Sequence, residues 1–188
     1  MKKKQNPSSK FTSALQVETD LEVIGRMADD RFDENLSLRH HLKSLHYDLV
    51  NDLFTSIHNH IAPLIDCTKC GNCCRTLQAA VRPSEIPVLA NAKGYLPEEF
   101  QGKFLAREEG THFLKHAPCI FFDGRRCEIY DHRPQACRDY PHLTQDNMPD
   151  RLFGVIDNYG TCPIVFNVME ELKRVTKFEE RSGGTKSL

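Results

Sequence analysis

Four cysteines fall within the eight residues Cys67-Thr68-Lys69-Cys70-Gly71-Asn72-Cys73-Cys74. Cys is apolar enough to serve as core. Thr68, Lys69, Gly71 and Asn72, however, are polar or turn-forming, so the density of thiols here has no packing use. The stretch reads as a ligand loop. A Cys-x-x-Cys turn aims two sulfurs at one centre, and small or polar residues between them let the backbone amides turn toward the sulfurs. Cys67, Cys70 and Cys73 carry the C-x2-C-x2-C spacing of bacterial iron–sulfur ligand runs. A lone Cys-x-x-Cys also fits a zinc knuckle or a redox dithiol. The full run of four points more specifically to metal or cluster ligation.

Cys119, Cys127, Cys137 and Cys162 bring the total to eight. In a secreted chain that count would suggest disulfides. The basic start, Met1 to Lys10, leads into no apolar h-region, and no run of about eighteen apolar residues offers a membrane span. The expectation is a reducing, cytoplasmic setting in which clustered thiols hold metal. A net charge of −1 implies no strong attraction to nucleic acid or to a membrane surface. A protein partner is the remaining macromolecular expectation.

Leu38, Leu42, Leu45, Leu49, Leu53 and Ile57 recur at steps of three and four. They predict one long amphipathic helix from Asp33 to Ile61, stopped by Pro63. It is rich in histidine. His46 and His60 are expected in the apolar arc as hydrogen-bonded residues, with His60 the best candidate for an extra ligand. After the cysteine run, 76–81 reads as a strand, Ser84 to Gly94 as a short helix, and Glu98 to about Glu109 as another. Cys119 to Tyr130 reads as a hairpin around Asp123-Gly124. A three-residue loop, Phe122 to Gly124, would pair Cys119 directly with Cys127. Pro134 opens a short helix that places Cys137 in its first turn. Arg133 and Arg138 nearby either favour a thiolate or are solvated surface charge. His132 and His142 are loop histidines with ligand capacity. Cys162-Pro163 opens a last helix whose apolar face is Ile164, Val165, Val168, Met169, Leu172 and Val175.

These readings sum to an α+β fold, mainly helical: a small, irregular, metal-stabilised domain with a short β-hairpin and a long N-terminal amphipathic helix. Residues 1–32 are expected to form a flexible arm, with at most a short helix around 15–27. Residues 33–180 form a single cysteine-cluster domain with its motif core at 65–165, and 181–188 form a disordered tail. A hydrophobic content of 39% is a little low, which points to polar tails or to a metal contribution to stability.

The motif Cys67-x2-Cys70-Gly71-x-Cys73-Cys74, followed by Cys119, Cys127-x-Ile129-Tyr130-x2-Arg133-Pro134-x2-Cys137-Arg138-x-Tyr140-Pro141, resembles the YkgJ-type cysteine-cluster family. These bacterial proteins are described as zinc- or iron-chelating or as containing Fe–S clusters. The resemblance implies metal ligation by the matched cysteines and no settled reaction. Eight thiols make two four-ligand sites or one site with spare thiols. One partition sets Cys67, Cys70, Cys73 and Cys162 around a first centre and Cys74, Cys119, Cys127 and Cys137 around a second. The cofactor is then an iron–sulfur cluster, 4Fe-4S, or zinc. The first functional reading is a redox or electron-transfer protein, and the second a zinc-stabilised interaction module without catalysis. A cluster-dependent oxidoreductase is the third. No phosphate loop, nucleotide fingerprint or Ser/His/Asp pattern supports it.

Overall fold

The computed structural model describes residues 16–179. The expectations for residues 1–15 and for the tail 181–188 lie outside them. The helices are α1 (Leu21–Asp30), α2 (Phe32–Ser44), α3 (Tyr47–Ile61), α4 (Cys67–Cys70), α5 (Asn72–Thr76), α6 (Ile86–Ala92), α7 (Pro97–Phe104), α8 (Gln135–Asp139), α9 (Met148–Asp157) and α10 (Pro163–Val175). The strands are β1 (Ala80–Val81), β2 (Leu105–Glu108) and β3 (Thr111–Leu114). The fold is mainly helical with one small antiparallel sheet. No helix among the described residues is long and apolar enough to cross a membrane. The described residues divide into two compact units, one formed by 16–65 with 143–179 and the other by 66–142.

The first unit is all helix. Asp20 caps α1, its Oδ1 accepting from Glu22 N at 2.8 Å and Val23 N at 3.2 Å, and Ile24 is buried. The Asn167 side chain takes both backbone groups of Glu18, at 2.9 and 2.8 Å. Helix α3 packs on α9 and α10, and α2 packs on α9. The α3 residues Val50, Phe54, Ile57 and Ile61 are buried, as are Ile164, Val165, Val168, Met169 and Leu172 of α10.

The single long helix expected over 33–61 is two helices. Leu45 and His46 are extended between α2 and α3. The reason lies in the phase of the apolar stripe. Leu38 and Leu42 are buried in α2, but the buried set of α3 starts at Val50, and Leu49 is 46% exposed. That one-residue slip turns the apolar face by about 100°, which one straight helix cannot present to one core. Ser44 helps to end α2 by donating its hydroxyl to the His41 carbonyl at 2.7 Å, a local bond that competes with the helix ladder. His46 and His60 are exposed rather than set in the apolar arc.

The second unit holds the sheet, in the order β1-β3-β2 with all pairs antiparallel. Helix α7 ends at Phe104 instead of continuing to Glu109. Leu105 to Glu108 pairs with Thr111 to Leu114, and the connecting Glu109 and Gly110 both have positive φ, 47° and 85°. That is the two-residue turn a hairpin demands, and it overrides the helical propensity of the glutamates. The unit's apolar cluster comprises Val81, Ile86, Leu89, Ala90, Phe100, Leu105, Leu114 and Phe121.

The hairpin expected around Asp123-Gly124 is reduced to one bridge, Phe122 to Cys127. Asp123 Oδ1 accepts from Arg125 N and Arg126 N, both at 2.7 Å. This carboxylate turn sets a four-residue loop, so Cys127 faces Phe122 and not Cys119.

Candidate metal centre

The cysteine run folds as two very short helices joined by a glycine. Asp66 caps α4, its Oδ1 accepting from Thr68 N at 3.0 Å and from the Thr68 hydroxyl at 2.6 Å. The Thr68 hydroxyl bond is the main cause holding the Asp66 carboxyl below its ordinary range. Gly71 ends α4 with φ 57° and starts α5. A Cβ at Gly71 would stand 2.9 Å from Phe122 Cε2, so only glycine suits both the left-handed backbone and the close approach of that ring. Arg75 covers the other part of the contact. Its guanidinium lies 4.8 Å from the Phe122 ring centroid and donates to the Cys70 carbonyl at 2.7 Å and the Gly124 carbonyl at 3.4 Å.

A second tie joins the run to the next segment: Cys119 N donates to the Cys74 carbonyl at 2.8 Å. A third positions α8, where Gln135 N donates to Glu85 Oε1 at 2.7 Å and Pro134 sits at the N-cap. Cys137 is therefore in the first turn of α8, as its spacing from Pro134 predicts.

These elements enclose a chamber of about 320 Å³ whose walls include Cys67, Cys73, Cys74, Cys119, Cys127 and Cys137. Cys70 is not part of the wall but interacts electrostatically with Cys67. Cys162 belongs to the other unit, buried at the N-cap of α10. None of the eight cysteines forms a disulfide. His142 lines the chamber, and His132 is exposed on the turn at Tyr130–His132.

The electrostatics divide the thiols into neighbours. The Cys74 thiol is pushed up chiefly by its hydrogen bond with Cys73, then by burial. Burial pushes the Cys137 thiol up to about 12, with Cys119, Cys74 and Cys127 adding to the shift. Burial also raises Cys119, which feels Cys74 and Cys127, and raises Cys127, which feels Cys74. Thus Cys74, Cys119, Cys127 and Cys137 form one interacting set, drawn from three stretches of chain. The register expected for Cys119 and Cys127 is wrong, yet both sulfurs reach the same chamber. The Phe122 N to Cys119 carbonyl turn, at 2.9 Å, folds the segment back in place of a regular ladder.

Soft thiolates suit zinc and iron–sulfur chemistry, so the donor set fits such a group. Among the described residues, no group of three or more His, Cys, Asp or Glu side chains is already arranged to hold an ion. The thiols share a wall without forming a finished coordination shell. A metal binds the thiolate form, so loading must displace thiol protons.

Arg133 and Arg138 are expected beside Cys137, but nothing in the sequence pattern points to the rest of the wall. Leu77, Phe113, Leu114, Phe121, Ile129 and Tyr140 make most of it apolar, and Arg126, Arg133 and Arg138 also line it. The pairing of Tyr130 with Arg133 was the one available local signal: Arg133 lies 3.7 Å over the Tyr130 ring centroid.

No curated protein and no solved structure matches the chain. A family match covers residues 66–163, more than half of the 188 residues and all eight cysteines. The chain therefore belongs to the CxxCxxCC family, described as "Putative zinc- or iron-chelating domain".

Proposed function

We propose that this protein ligates zinc or an iron–sulfur cluster through the thiols of residues 67–137, with Cys74, Cys119, Cys127 and Cys137 as one four-thiolate centre. The observation that carries this reading is the mutual interaction of those four thiols on one chamber wall. Cys67, Cys70 and Cys73 supply further donors beside it. A four-thiolate site is closed, which suits structure or electron transfer better than open-site hydrolysis. The dense run at 67–74 resembles iron–sulfur ligand spacing more than the paired knuckles of zinc folds. That favours a redox or electron-transfer role, serving a protein partner in a reducing, cytoplasmic setting.

Anaerobic purification tests the reading, with iron, zinc and acid-labile sulfide measured alongside the absorption spectrum. A brown protein containing iron and sulfide, bleached reversibly by dithionite, is the expected result. A colourless protein with stoichiometric zinc removes the redox role and leaves chelation. A chain that takes up neither metal overturns the reading. Replacing Cys74 or Cys137 by Ser lowers the metal content if they are ligands.

A further inference from the structure

Among the cations on the chamber wall, Arg133 is held differently from the rest. Its guanidinium lies over Tyr130 and donates from Nη1 to the Tyr130 carbonyl at 3.0 Å. Its own carbonyl accepts from Arg138 Nη1 at 2.6 Å. The segment is thus clamped at both ends. Arg126 faces Asp123 at 3.9 Å with a side chain 80% exposed, and Arg138 faces Glu85 at 3.9 Å. Both have a carboxylate to answer to. Arg133 forms no ion pair with a carboxylate among the described residues. It lines the same chamber as Cys67, Cys74, Cys127 and Cys137.

We infer that Arg133 is the fixed counter-charge of the metal-loaded thiolate centre. The inference rests on the chelation reading above and deepens it. A divalent ion held by four thiolates leaves net negative charge in a largely apolar wall, where an uncompensated charge is costly. A guanidinium stacked and hydrogen-bonded in place offsets that charge without first having to be ordered. Arg133 is a positioning residue in this account: it acts through the ligands and takes no part as a ligand.

The test uses the full chain, with zinc affinity measured in competition with a chromophoric chelator. Cobalt in place of zinc reports the number of thiolate ligands through its charge-transfer band. R133Q loses about tenfold or more in zinc affinity, the range seen for groups that support metal ligands, while its cobalt band keeps wild-type intensity. R133M, which keeps an apolar stem over Tyr130, shows the same loss. R133K, which keeps the charge, retains most of the affinity, and R126Q is unchanged. If the chain loads with a cluster, R133Q and R133M also lower its reduction potential, because an electron enters a more negative centre. Wild-type affinity in R133Q overturns the inference and leaves the chelation reading intact. Equal losses in R133K and R133Q, or a weakened cobalt band in both neutral variants, assign Arg133 a structural role and overturn it. A wild-type chain that binds neither zinc nor cobalt overturns both readings.

Discussion

The helical unit and the cysteine unit obtain their order by opposite routes. In the first, α3 and α10 run for 15 and 13 residues and bury continuous apolar faces. Each fully buried large aliphatic or aromatic side chain there contributes about 1.5–3 kcal/mol. In the second, the thiol-bearing helices α4, α5 and α8 span only 4, 5 and 5 residues. Helices shorter than about 12 residues are marginal alone. These are held by single cross-links instead: the Asp66 cap, the Cys119 to Cys74 bond, the Glu85 bond to α8, and Phe122 between Gly71 and Arg75. The segments that present the sulfurs are too short to bury apolar faces of their own. Their geometry therefore depends on a few hydrogen bonds, one glycine and, in the reading proposed here, a bound ion.

The contrast can be broken or sharpened by measurement. The largest effect belongs to the apolar unit. Phe54→Ala, at a position 0% exposed, costs about 3–5 kcal/mol by chemical denaturation, and the loss is the same with or without added zinc. A metal-dependent loss would show that the two routes are not separate. Next comes the ion. Zinc at about a hundredfold over its Kd adds about 2.7 kcal/mol, and amide exchange places the gained protection in residues 66–142. Protection that rises equally in 16–65 contradicts the contrast.

Gly71→Ala forces a side chain into the left-handed region at a cost of about 1–2 kcal/mol, with the contact to Phe122 added. The expected readout is a lower unfolding midpoint together with reduced metal uptake. A variant with unchanged uptake would show that the cysteine run does not depend on this contact. Asn35→Leu works in the other direction. Asn35 is 0% exposed, and both of its amide atoms lack a hydrogen-bond partner. Replacing it with an apolar residue of similar size gains about 1 kcal/mol, and a loss of stability would reveal a bound water serving the amide.

The smallest effect concerns pH. Burial lowers the His58 pKa below its ordinary 6.5, so the folded state binds fewer protons than the unfolded state just below that value. Stability contributed by neutral His58 is present above about pH 6.5 and declines as pH falls through the unfolded pKa toward the lower folded one. The wild-type midpoint drops more than that of His58→Gln between pH 7.5 and 5.5. Equal drops would sink the assignment.

Particular elements show how far pattern alone reaches. The Pro134 start of α8, the Cys162-Pro163 start of α10 and the Gly94 stop after α6 were all legible, because each depends on backbone rules that act within a few residues. The 33–61 helix failed because period counting does not see which side the core lies on. The helix expected to reach Glu109 failed because a two-residue turn with positive φ recruits the preceding residues into a strand. The Cys119 to Cys127 register failed because Asp123 spends its carboxylate on Arg125 and Arg126, a choice no alternation of apolar residues encodes.

By itself, the sequence determined the chemistry. Four thiols in eight residues, within a family described as zinc- or iron-chelating, point to soft-metal chemistry, because a thiolate's affinity for such metals is a property of the residue. Only the tertiary structure decided which sulfurs share a wall, which arginine faces them unpaired and where each cysteine segment turns. Those are questions of position in space, settled by hydrogen bonds and packing between stretches of chain that lie far apart along the sequence.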